Sequence, residues 1–82
     1  MIEVRFFAML KRIAGTNSRE YDIREPVTVG ELKEMIARDI PALAEVLAGR
    51  SVLVSVNEEF ARDDELVADG DVVGLLPPFS GG

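Results

Sequence analysis

The chain contains no cysteine, no histidine and no tryptophan. Composition alone therefore excludes disulfides, thiolate nucleophiles, zinc sites of the Cys/His type and histidine general bases. Positive charge is also scarce: nine lysines and arginines face fifteen aspartates and glutamates, for a net charge of −6. That balance opposes binding to a phosphate backbone and suits a partner with a basic docking surface. No apolar run approaches the ~20 residues a membrane span needs. The opening Met1-Ile2-Glu3-Val4-Arg5-Phe6-Phe7 lacks the basic n-region of a signal peptide and reads as a strand, so a cytoplasmic location is expected. Such an inventory does not equip the chain for catalysis by itself.

What is present is a foldable sequence. Apolar residues make up 48% of the 82 positions, which predicts one small globular domain over 1–82. Ile2, Val4, Phe6 and Ala8 alternate with Glu3, Arg5, Phe7 and Met9, the period of a half-buried strand. A short helical turn is expected over Lys11–Ala14, ended by Gly15, and a second strand over Arg19–Arg24, bounded by Pro26. Thr28-Val29-Gly30-Glu31 matches a capping box, and Val29, Leu32, Met35, Ile36 and Ile40 give the helix after it one apolar stripe. Pro41 interrupts that helix, and Ala42–Ala48 adds a further short turn closing at Gly49.

Val52, Val54 and Val56 mark a third strand, and Asn57-Glu58-Glu59-Phe60 a hairpin into a short fourth. Asp63-Asp64-Glu65-Leu66 reads as a loop, Asp69-Gly70-Asp71 as a turn, and Val72–Leu76 as the closing strand. This order predicts an α+β fold: a mixed sheet of about five strands packed on one main helix. One helix covers one face only, so the other is solvated or binds something. Phe7 and Leu76 have parity opposite to the core sets Ile2/Val4/Phe6 and Val73/Leu75, and Phe60 sits beside a turn. Together these three would form an apolar partner patch; the other reading is that Phe60 and Leu76 complete the edge of the core.

Asp63, Asp64, Glu65, Asp69 and Asp71 form the one carboxylate cluster, but without the ligand spacing of a calcium loop, and solvated turns are the better reading. Gly70-Asp71-Val72-Val73-Gly74 precedes a strand and lacks the spacing of a phosphate-cradling loop. The chain ends in Pro77-Pro78-Phe79-Ser80-Gly81-Gly82. Prolines cannot continue a sheet ladder, and six extended residues reach about 20 Å. Gly81-Gly82 lacks any Cβ and would pass through a narrow channel. A stiff stem, a thin tip and a terminal carboxylate suggest a flexible substrate arm, residues 77–82, on which another protein acts; a frayed terminus is the alternative.

Four stretches carry a family resemblance: Val4-Arg5-Phe6-Phe7-Ala8, Val56-Asn57, Asp69-Gly70-Asp71-Val72-Val73 and the ending Pro77-Pro78-Phe79-Ser80-Gly81-Gly82. Over its whole length the chain resembles the small subunit of molybdopterin synthase, within the ubiquitin-like sulfur carriers. Gly-Gly and Asp-Gly-Asp are shared with thiamine-pathway carriers and ubiquitin-like modifiers, whereas Pro-Pro-x-x-Gly-Gly directly after the last strand is more specific. The resemblance implies a β-grasp fold and a non-catalytic, sulfur-donating subunit. An adenylating enzyme would use ATP to activate the carboxylate of Gly82, and a sulfur donor protein would convert it to a thiocarboxylate. The tail formed by Pro77, Pro78, Phe79, Ser80 and Gly81 would enter the large subunit, where sulfur goes to the dithiolene of molybdopterin. Phe7, Phe60 and Leu76 fall at the family's docking positions; no bound cofactor, metal, nucleic acid or membrane is implied. The bulky Phe79 stands where the family commonly carries a small residue. The alternatives are a thiamine-pathway carrier, a protein modifier conjugated through Gly82, and a binding module with an inert tail.

Overall fold

The computed structural model describes residues 1–49 and 51–78. Strand β1 (Ile2–Phe6) buries Ile2, Val4 and Phe6 and turns Glu3 and Arg5 the other way, as its alternation requires. Helix α1 (Met9–Ala14) starts two residues before the expected turn and ends at Gly15 in the left-handed conformation, φ 75°. Strand β2 (Ser18–Tyr21) stops three residues short of the predicted Arg24. The register gives the reason: Tyr21 pairs with Ile2, the first residue of β1, so Asp22 has no ladder to join.

A two-residue strand, β3 (Val27–Thr28), leads into helix α2 (Val29–Asp39) through the expected capping box. Glu31 N donates to Thr28 Oγ1 at 3.0 Å, and Thr28 N donates to Glu31 Oε1 at 2.9 Å. The next two orphan donors are also met, since Val29 N reaches Glu65 O and Gly30 N reaches Asp63 O, both at 2.9 Å. The helix thus begins with its free N–H groups satisfied, and its stripe of Val29, Leu32 and Ile36 enters the core. A 3₁₀ turn (Pro41–Leu43) and helix α3 (Ala44–Ala48) follow, where Pro41 was expected to break α2.

Strands β4 (Leu53–Val56) and β5 (Glu59–Phe60) form a hairpin, β6 (Leu66–Val67) pairs with β3, and β7 (Val72–Leu76) closes the main sheet. Leu66 therefore lies in a strand, not in the expected loop; a two-residue strand has no alternation to read. The main sheet runs β2-β1-β7-β4-β5, with β1 and β7 parallel at its centre and the other pairs antiparallel. This mixed five-stranded sheet packed on a helix is the α+β arrangement the element order predicted, and it is the β-grasp architecture that the family resemblance implied. Fifteen apolar side chains form one core cluster on the α2 side, and no polar side chain is buried among the described residues. No helix among the described residues is long and apolar enough to cross a membrane.

Candidate functional site

β7 is the strand that launches the tail. It is hydrogen-bonded on both sides, to β1 and to β4, and its last residue, Leu76, pairs with Leu53. Pro77 then ends the ladder, because proline offers no N–H. Pro77 is half-buried against the sheet end and Pro78 is exposed. Phe79, Ser80, Gly81 and Gly82 lie outside the described residues. The exit point is firm: a central strand anchored on two sides resists displacement better than an edge.

Around this exit lies the sheet face that no helix covers. Register places Ser18, Arg5, Gly74, Ser55 and Phe60 in one row across all five strands, on the face opposite the core. Phe60 is 66% exposed, so it does not complete the core edge. Phe7 is 44% exposed and follows β1, with its backbone N donating to Leu75 O at 3.1 Å. Leu76 is half-buried. The structure brings Phe7 and Leu76 together over Gly74: a Cβ built there would meet Ser55 Oγ at 2.7 Å, Phe7 Cε2 at 3.3 Å and Leu76 Cδ1 at 3.6 Å. Phe60 stands one strand further out, beyond Ser55. Arg5 and Lys11 line a shallow depression beside Phe7.

Sequence reasoning passed over Leu53, Ser55 and Gly74. Leu53 is half-buried opposite Leu76, and its parity with Ser55 within β4 was available. The signal at Gly74 was a glycine inside a strand, which marks a close approach of another group; it was weighed only as part of a phosphate loop.

Among the described residues three of the five clustered carboxylates have structural partners, and one of them, Asp69, accepts from the Met1 ammonium through Oδ1. Asp63 Oδ1 accepts from Lys33 Nζ at 2.8 Å, and Asp71 accepts from Asn57 Nδ2 at 3.0 Å and from Ala68 N at 2.8 Å. Among the described residues no group of three His, Cys, Asp or Glu side chains is placed to hold a metal ion. Among the described residues two groups have displaced pKa values. Burial, reinforced by its hydrogen bond to Asp39 Oδ2 at 2.8 Å and by the Asp39 charge, raises the Tyr21 hydroxyl above its usual range. Glu31 is lowered, first by the Thr28 backbone N–H and then by the Thr28 hydroxyl. Both serve the fold, one tying β2 to α2 and the other capping α2. The described part of the molecule thus presents an apolar surface beside a strand paired on both sides.

A model of the ThiS family matches residues 4–82. The molybdopterin synthase sulfur carrier subunit of Escherichia coli is 34% identical over 82 residues, covering 100% of both chains. The crystal structure of small archaeal modifier protein 1 from Haloferax volcanii superposes with a TM-score of 0.89 at 32% identity, covering 99% of this chain and 98% of that one. A protein–protein complex of subunits 1 and 2 of molybdopterin-converting factor from Helicobacter pylori contains a chain that superposes with a TM-score of 0.67 at 27% identity, covering 99% of this chain and 97% of that one.

Proposed function

The chain belongs to the ThiS family, and from that premise we propose that it is a sulfur carrier acting as the small subunit of a molybdopterin synthase. The observation that carries this reading is the end of β7: a strand held on both sides stops at Leu76, beside Phe7, where Pro77 breaks the ladder and begins the last six residues of the sequence, which finishes in Gly81-Gly82. The E. coli relative, matched end to end, supports the assignment, and the H. pylori complex supports docking on a second subunit.

The chemistry proceeds at the Gly82 carboxylate. A carboxylate is a poor acyl donor, so an adenylating enzyme first joins it to AMP from ATP, releasing pyrophosphate. Sulfur from a donor protein then displaces AMP and leaves a thiocarboxylate. The tail carries this sulfur into the large subunit, which supplies the catalytic groups and transfers it to a cyclic pyranopterin precursor to build the dithiolene of molybdopterin, while water returns Gly82 to its carboxylate. A thin Gly-Gly tip lets the acyl carbon approach closely in both partners' sites. No cysteine elsewhere in the chain competes for the sulfur by exchange. Phe7, Phe60 and Leu76 form the docking patch, and Pro77, Pro78, Phe79, Ser80 and Gly81 the arm.

Removing Gly82 tests the reading. The truncated chain is expected to keep its thermal midpoint and to lose all product formation with the large subunit. A large fall in the midpoint would make the tail structural, and undiminished product would remove Gly82 from the chemistry. The likeness to small archaeal modifier protein 1 favours a second reading, conjugation of Gly82 to lysines of other proteins. Isopeptide-linked Gly-Gly remnants in a digest of the source proteome would be its mark.

A further inference from the structure

We infer that Gly74 is a positioning residue for docking: its missing side chain lets Phe7 lie against the sheet as a preset aromatic anchor for the large subunit. This rests on the docking reading above, and its test is arranged so that the two fail separately.

Glycine weakens a strand, and β7 is the most enclosed strand of this sheet. Gly74 has no positive φ, and therefore is not there to make a turn. Space is what it supplies. A Cβ at this position would press on Ser55 Oγ at 2.7 Å and on the Phe7 ring at 3.3 Å. Ser55 can rotate away; the aromatic ring would have to give by a few tenths of an ångström for a Cβ alone, and by more for a branched side chain.

A second observation points to the same side chain. Ala8, directly after Phe7, has φ 53° and ψ −127°, a conformation disfavoured for any residue with a Cβ. It forms the bend of a turn closed by Leu10 N donating to Phe7 O at 3.1 Å. With Phe7 N bound to Leu75 O, the Phe7 backbone is fixed on both sides, and bare strand lies beneath its ring. Yet Phe7 is 44% exposed, so the core gains little from this arrangement. A partner gains more, because an aromatic already held in place loses less freedom on binding. The depression beside the ring carries both signs of charge, with Arg5 paired to Glu3 and Lys11 nearby, so the complementary surface is an apolar slot for the ring with a polar rim.

The experiment measures the dissociation constant for the molybdopterin synthase large subunit encoded by the same genome, with melting curves for each variant. Ser55→Ala removes the nearest clash, and Gly74→Val in that background displaces the ring. Phe7→Ala is expected to weaken binding roughly 30-fold. Gly74→Val is expected to weaken it about tenfold, and Phe7→Ala added to it should cost much less than in the parent. Full additivity of the two changes, or parental binding by Gly74→Val, would overturn the inference. Binding of Phe7→Ala equal to the parent would instead overturn the docking reading. Nuclear Overhauser contacts between the Gly74 α-protons and the Phe7 ring are expected in the free chain, and their absence would refute the preset posture without any partner. Gly74→Ala, a milder change, serves if the valine variant does not fold, with about a threefold loss expected and the same additivity criterion.

Discussion

Asn57 and Asp71, 14 residues apart, are joined through a single amide that also holds the last strand in register. Asn57 Nδ2 donates to Asp71 Oδ1 at 3.0 Å, while its Oδ1 accepts from Val72 N at 3.0 Å, and its backbone N donates to Val72 O at 2.8 Å. Asp71 Oδ2 also accepts from Ala68 N, which fixes the turn before β7. The hairpin and the start of the tail-bearing strand are therefore one unit. Asn57→Gly retains a residue suited to φ 50° but removes both side-chain bonds. It should cost about 1–2 kcal/mol, or roughly 4–16 °C of melting temperature. A variant that melts with the parent would show the amide to be dispensable.

Both members of this pair stand in motifs that were legible in the sequence, Val56-Asn57 and Asp69-Gly70-Asp71, although their contact was not. The larger elements were readable because each has a period or a cap: the alternation of β1, the Thr28–Glu31 box, the apolar stripe of α2, and β7, which spans Val72–Leu76 as expected. The end of β2 was not, since it depends on where β1 runs out of partners. Nor was the β3–β6 pair, which is too short for any pattern. Parity placed Phe7 and Leu76 on one face. That Gly74 lies between them depends on register with β1 and β4, a property of three strands together.

Of the three non-glycine residues with positive φ among those described, Ala8, Asn57 and Glu58, the first and last offer a test of local strain. Glu58 has φ 71° at the second position of a two-residue hairpin loop, where glycine is favoured, and Ala8 has φ 53°. Glu58→Gly and Ala8→Gly should each stabilise the chain by about 0.5–1 kcal/mol, because relief of the Cβ clash outweighs the added freedom of the unfolded chain. Chemical denaturation would check both; a loss of stability would mean that the side chains make contacts worth more than the strain.

Acid should weaken the start of α2. The folded pKa of Glu31 lies below its ordinary value of 4.5, so its contribution is complete above that pH and is lost as pH falls through the folded value. Glu31→Gln should therefore lose less stability than the parent between about pH 6 and about pH 3. Equal losses would place the acid sensitivity elsewhere.

Alkali should act through Tyr21, the one tyrosine of the chain. Its folded pKa is raised, so the stability it contributes is whole below about pH 10 and fades as pH rises toward the folded value. Tyrosinate absorbance should appear together with unfolding, and Tyr21→Phe should unfold at higher pH. Ionisation of Tyr21 while the chain remains folded would contradict the burial and Asp39 contact that raise it.

Phe60, at 66% exposure, should be expendable for folding. Phe60→Ser is expected to change stability by no more than about 0.5 kcal/mol while weakening large-subunit binding roughly tenfold. Melting and titration calorimetry separate the two effects. Unchanged binding would remove Phe60 from the docking patch.

The most direct test concerns Gly82. The intact mass of the chain is measured after incubation with an adenylating enzyme that activates carriers of this family, ATP and a sulfur donor protein, with a competent carrier as control. The expected result is a gain equal to exchanging one oxygen for sulfur, absent when Gly82 is deleted. An unchanged mass while the control carrier gains sulfur would contradict the assignment of this chain as a sulfur carrier.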